Sequence, residues 1–272
     1  MTSTSPRTKN TARTTSAVGD KVFFGLSWTG GATILVVLAF VAAFLLIRSL
    51  PAIMPETFGP GAEGAIDFWS YVWPLMAGTV IVSVIALLLA TPVAIGISLF
   101  ISHYAPRRFA NPIGYLIDLL AAIPSVVYGA WGMLVLAPAM VPIYHWLHNN
   151  LGFIPLFAGD PSVTNTGRTI LTSGVVLAVM VLPIMTALCR EIFLQVPHLQ
   201  EEAALGLGAT RWEMIKMTVF PFARAGVISS IMLALGRALG ETMAVTMVLS
   251  AGGFSWSLVT SGANGTIPAE IA

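Results

Sequence analysis

Five long apolar runs, separated by short polar stretches, set the pattern of this chain. They lie at roughly Thr29–Leu50, Trp73–Ile101, Tyr115–Val141, Thr169–Cys189 and Pro221–Ser250. Each meets the roughly 20 residues that a helix needs to cross a hydrocarbon core of about 30 Å. The runs are continuous and do not alternate over about ten residues, so they predict helices and not barrel strands. Pro92, Pro124 and Pro183 fall inside the runs and predict kinks, because neighbouring helices can satisfy the carbonyls that a proline frees. The expected fold is an all-α polytopic membrane domain over residues 21–272, preceded by a disordered tail over 1–20.

The tail Met1–Gly19 is rich in Ser and Thr, carries Arg7, Lys9 and Arg13, and has no acidic residue. Such a stretch buries too little apolar surface to order itself. A transit peptide is a minor alternative on composition, and a cleaved signal is disfavoured because the run that follows is long enough to span. The chain is 56% hydrophobic and 9% charged, against the roughly 25% charged residues of soluble domains. Net charge is close to zero, no basic patch with interleaved aromatics appears, and nothing points to nucleic acid. Cys189 is the single cysteine, which excludes an intrachain disulfide.

Lys and Arg set the orientation. With the N-terminus in the cytoplasm, ten of the 13 fall on the inner side, Arg48 and Arg168 fall outside, and Arg237 lies in the membrane. The same arrangement puts residues 190–220 in the cytoplasm and Ala272 outside. Trp69, Trp73, Tyr144 and Trp146 fall at outer boundaries, where interfacial anchors sit.

The polar segment between the last two runs predicts two short helices over 198–217. Gly206 and Gly208 would supply the tight or left-handed turn between them. Thr210-Arg211-Trp212-Glu213 has the form of a capping box. Trp212, Ile215 and Val219 share one side of the second helix. A short helix with apolar anchors and charged flanks suits a groove on another protein, although an ordinary interfacial hairpin has the same pattern. No Gly-x-x-x-x-Gly-Lys-[Ser/Thr] loop is present, so any ATP hydrolysis belongs to a partner.

The fifth run contains charge. Arg237 lies about 16 residues beyond Pro221, roughly 24 Å along a helix, in the outer half of the membrane. An arginine at such depth faces a pore or a partner. Glu241, four residues on, would share its helical face and hold the guanidinium fork, which matches phosphate oxygens bidentately. A structural salt bridge is the competing reading. Gly236 and Gly240 form a Gly-x-x-x-Gly pattern that would let another helix approach. Asp118, about one turn inside the third run, is a further pathway candidate, or simply a carboxylate favoured by a helix N-terminus. His145 and His148 form His-x-x-His without a third ligand, which predicts no metal site. Ser173 and Cys189 lack a base at usable spacing.

Glu202, Ala203, Ala204, Gly208 and Pro221 stand in the register of the EAA loop, and 202–221 resembles that loop of bacterial ABC-importer permeases. Thr218 and Phe220 depart from its usual Ile and Leu. Leu-Gly-Arg-Ala-Leu-Gly-Glu-Thr-Met-Ala-Val-Thr-Met-Val at 235–248 and Ala-Ala-Ile-Pro-Ser-Val-Val-Tyr-Gly at 121–129 resemble phosphate-importer permeases of the PstC type. The resemblance covers about residues 20–272. It implies a type I importer permease in the bacterial inner membrane, acting with a homologous PstA-type permease, an ATPase dimer carrying ATP and Mg, and an extracytoplasmic phosphate-binding protein. It implies that 198–221 couples to the ATPase through Glu202, Ala203, Ala204, Gly208, Thr210, Trp212, Glu213 and Pro221. It also implies six spans, where five are visible, so the sixth is truncated or absent. A permease for another oxyanion is the alternative within transporters. A channel or sensor is the alternative of another class, although a voltage sensor would carry several arginines at three-residue spacing.

Overall fold

The computed structural model describes residues 17–53, 68–158, 163–249, 255–261 and 265–271. Most of the expected tail, the Gly252-Gly253 stretch and Ala272 lie outside the described residues. Contacts divide the chain into two units, 1–68 and 69–272. The first holds one helix, α1 (Ala17–Ile53), which starts earlier than the apolar run at Thr29 indicated. It is apolar on every side, and large side chains such as Phe24, Leu35 and Phe40 are exposed. A helix with no polar face is what a lipid environment selects.

The second unit holds α2 (Phe68–Leu99), α3 (Arg107–Ala121), α4 (Ser125–Trp131), α5 (Ala137–Leu151), α6 (Ile170–Leu194), α7 (His198–Gly206), α8 (Arg211–Met214), α9 (Phe220–Leu239), α10 (Met243–Val248) and α11 (Ile267–Ile271). Single π turns at Phe100–Tyr104, Gly132–Leu136 and Ile215–Val219 extend α2, join α4 to α5 and join α8 to α9. Among the described residues, five helices are long and apolar enough to cross a membrane: Gly19–Leu50, Trp69–Tyr104, Ser125–Leu151, Ile170–Leu194 and Arg211–Leu239. Five spans were expected. The third is displaced along the chain, and the fifth ends about ten residues early.

The displacement of the third span has a backbone cause. Pro124 has no N–H and pushes the residue before it away from helical geometry, so α3 stops at Ala121 and the span restarts at Ser125. Pro124 is therefore a break and not a kink inside a span. Asp118 consequently lies near the end of the separate helix α3, exposed, and not in the first turn of a span. In the fifth span, α9 ends at Leu239 and Thr242 precedes the short α10.

Helix α6 is the centre of the unit. Leu177, Met180, Val181 and Met185 are buried against Val82, Ala86, Ala90 and Ala94 of α2 and Ala234 and Ala238 of α9. Alanines on both neighbours let helices approach closely, which is how packing replaces the hydrophobic drive inside a membrane. A second cluster, with Leu99, Cys189, Phe193, Ile215 and Val219, closes the end that carries α7 and α8. Trp69, Trp73 and Trp146 are exposed as boundary anchors would be, but Tyr144 is not. It is fully buried, with its hydroxyl hydrogen-bonded to Thr172. His148 Nδ1 donates to the Phe157 carbonyl at 3.1 Å, a loop contact. Among the described residues no cluster of three metal-ligating groups exists.

Candidate functional site

The two segments that carry the phosphate-permease resemblance meet in space. A Cβ on Gly129 of α4 would stand 2.8 Å from the Cα of Ala244 in α10, and one on Gly132 would strike Val176 and Val248. Only glycine permits this backbone approach. Tyr128, next to Gly129, lies within electrostatic range of Arg237 and donates its hydroxyl to the Leu120 carbonyl at 2.9 Å. Residues 121–129 and 235–248 thus form one structural neighbourhood.

A cleft of about 570 Å³ opens there, lined by Ile184, Met232, Leu233, Gly236, Arg237, Gly240 and Glu241. Arg237 is exposed in the last turn of α9. The expected partnership with Glu241 does not form. The helix ends between them, the Gly240 amide donates to the Gly236 carbonyl, and among the described residues no ion pair joins Arg237 to Glu241. Glu241 is instead 9% exposed, and its Oε1 accepts from the Ala244 amide at 3.2 Å, at the start of α10. A carboxylate there satisfies an orphan amide and complements the helix dipole. The i, i+4 face expected for the pair presupposed an unbroken helix. Among the described residues Gly236 and Gly240 do not pack another helix either: a Cβ on Gly236 would meet nothing within 4 Å, and one on Gly240 only the Gly236 carbonyl at 3.4 Å. Both glycines face the cleft.

Arg168 belongs to the same neighbourhood, although the charge pattern of the sequence placed it only as an outer-side residue. Its Nη2 donates to the Met247 carbonyl at 3.1 Å and its Nε reaches the Val248 carbonyl at 3.5 Å. The cation therefore sits on the C-terminal carbonyls of α10 while Glu241 holds the N-terminal amide, the favourable polarity at both ends. Arg168 stands on a stiff platform. Gly167 has φ +72°, and a Cβ there would fall on the Ala137 carbonyl oxygen. The Gly167 amide donates to Thr164 Oγ1 at 2.9 Å, and Thr169 caps α6 by accepting from the Thr172 amide at 3.2 Å.

The segment 198–221 forms the expected pair of short helices. Gly208, with φ +89°, makes the left-handed turn alone; Gly206 is still helical. The capping box is present. Glu213 Oε2 accepts from the Thr210 amide at 2.8 Å, and Thr210 Oγ1 accepts from the Glu213 amide at 3.4 Å. The apolar side of the second helix is not offered outward, however. Ile215 and Val219 are fully buried against this chain's own spans, and Trp212 stands edge-on to Phe220 at 6.4 Å while remaining 57% exposed. That side anchors the loop. The outward face is formed by Glu202, Ala203 and Leu207, with Ala204 turned partly inward. Leu207 is 91% exposed at the tip of the turn, beside Gly208, and Leu199 is also exposed. Pro221 stands at the second position of α9, one residue beyond the π turn Ile215–Val219, where its missing N–H costs little.

The family of binding-protein-dependent transport system inner membrane components matches residues 93–271. The phosphate transport system permease protein PstC 2 of Mycobacterium tuberculosis is 44% identical over 255 residues, covering 90% of this chain and 78% of the relative. PstC of Mycobacterium leprae is 46% identical over 230 residues, covering 81% and 72%. PstC of Mesorhizobium japonicum is 40% identical over 244 residues, covering 86% and 72%. With five apolar spans among the described residues, a cleft at the broken end of the fifth, and this match over most of its length, the chain belongs to the family of binding-protein-dependent transport system inner membrane components.

Proposed function

We propose that this chain is a permease subunit of an ATP-driven importer of inorganic phosphate. It lines the translocation route through Arg237 and takes its driving force from ATPase subunits docked at 198–221. The observation that carries the reading is the end of the last span. Irregular backbone at membrane depth is tolerated where it is buried in protein or lines a water-filled cavity, and here the break at Gly240–Thr242 borders the cleft that exposes Arg237. A guanidinium stays charged at any relevant pH and offers a planar fork of donors to a phosphate's oxygens. One exposed arginine, with no salt-bridge partner among the described residues, binds weakly enough to release, as a passage site must. High affinity then belongs to an extracytoplasmic phosphate-binding protein. Relatives named as phosphate transport permeases over most of the chain support the choice of substrate.

The bare glycine face at Gly236 and the exposed faces of the spans fit a second, homologous permease, with the route between the two. Leu207, Glu202 and Ala203 fit a groove on an ATPase that holds ATP and Mg. Expression with the candidate second permease and ATPase tests the assembly: both should co-purify, and uptake of labelled phosphate should be competed by unlabelled phosphate. Equal competition by sulfate or molybdate would move the substrate to another oxyanion.

Orientation follows from the bias of Lys and Arg, with the N-terminus and the 198–221 loop in the cytoplasm. A single cysteine at position 210, in a Cys189→Ser background, should resist an impermeant thiol reagent in intact cells and react after permeabilisation. Rapid labelling in intact cells contradicts this topology.

Arg168→Gln should lower uptake by about tenfold, the scale of a lost charge-assisted hydrogen bond. Membrane abundance should hold, because the substitution leaves the α6 platform in place. Undiminished uptake would remove Arg168 from the site.

A further inference from the structure

A second polar cluster lies at the opposite end of the unit, around His103. This residue sits in the π turn Phe100–Tyr104 that ends the second span. Its Nε2 donates to Glu201 Oε1 of α7 at 3.3 Å, since a carboxylate only accepts. Its Nδ1 is 2.7 Å from Ser102 Oγ. Its backbone carbonyl accepts from Arg211 Nη1, at the start of α8, at 3.3 Å. Its ring also meets Phe193 of α6 edge-on at 6.5 Å. The two side chains of this hydrogen-bonded pair are only 8% and 17% exposed.

One residue therefore joins the end of the second span to both short helices of the 198–221 loop and to the end of α6. Solvent-exposed ion pairs contribute little, but this pair is mostly buried and ties separate elements together. Burial costs the carboxylate solvation, which only a persistent donor offsets. The outward face at Leu207 and Glu202 is left free, because Glu201 points the other way.

We propose that His103, Glu201 and Arg211 form a clasp that makes the docking loop and the second span move as one body, so that displacement of the loop by a partner is delivered to the span. This rests on the function proposed above. It assigns a positioning role to His103 and Glu201, neither of which belongs to the Glu-Ala-Ala pattern.

The test has two readouts. In the complete importer reconstituted in proteoliposomes, His103→Ala and Glu201→Ala should retain the ATPase subunits and hydrolyse ATP when the loaded binding protein is added. The ATP consumed per phosphate delivered should rise about tenfold or more, the change expected from a lost buried charge-assisted bond. His103→Gln, whose amide can still donate to Glu201, should recover most of the coupling. A parental ratio in the alanine variants, or loss of hydrolysis and uptake in parallel with lost ATPase subunits, overturns the clasp.

The second readout does not depend on phosphate. Spin labels at positions 100 and 199 of the purified chain, in a Cys189→Ser background, should give one narrow distance distribution, broadened by Glu201→Ala. An unchanged width overturns the clasp. Failure of the parental importer to deliver phosphate, with the width still sensitive to Glu201→Ala, would overturn the functional reading and leave the clasp supported.

Discussion

Arg237→Gln is expected to reduce phosphate uptake by roughly ten- to a hundredfold, the scale of one lost charge-assisted contact, while the ATPase subunits remain bound. The variant removes the cation that lines the cleft and touches neither the α6 core nor the 198–221 loop. Arg237→Lys should be impaired as well, because a compact ammonium lacks the planar fork. The double change Arg237→Leu with Glu241→Leu separates transport from a structural role. If the two charges merely neutralised each other, removing both would restore activity. The geometry predicts no restoration, since Glu241 accepts from the Ala244 amide and not from Arg237. Loss of the carboxylate would leave that amide unpaired and add its own defect. Uptake assays on the single and double variants, normalised to membrane abundance, decide the matter.

Glu202→Lys and Gly208→Val are each expected to abolish uptake without lowering the amount of protein in the membrane. Glu202 lies on the outward face of α7, so charge reversal damages docking and leaves the core alone. Gly208 holds φ +89°, and nothing lies within 4 Å of a Cβ there. The cost of valine is therefore backbone strain, about 1–3 kcal/mol, and not a clash. That strain would turn Leu207 away from its position at the tip of the loop. Parental uptake in both variants would contradict the docking role.

Much of this architecture is legible in the sequence, for definable reasons. Span number and the capping box at Thr210–Glu213 follow from local pattern, as does the left-handed turn at Gly208, which only glycine takes readily. The start of the third span was not, because residues 115–123 are as apolar as the span that follows and only the backbone break at Pro124 separates them. The Arg237–Glu241 pair failed for the same kind of reason. Spacing of four implies one face only if the helix continues, and α9 ends before Glu241. The apolar side at Trp212, Ile215 and Val219 was visible, but periodicity does not say whether such a side packs on its own chain or on a partner. Arg168 carried no readable signal, because its partners are backbone carbonyls about eighty residues away in sequence.

This chain is expected to line a route for phosphate under ATP control. Proteoliposomes that contain this chain, its second permease and the ATPase pair measure it directly when radiolabelled phosphate and the loaded binding protein are supplied on the extracytoplasmic side. Accumulation should require both ATP and the binding protein and should fall roughly ten- to a hundredfold with Arg237→Gln. Accumulation that proceeds without ATP, or that is unchanged by Arg237→Gln, would contradict it.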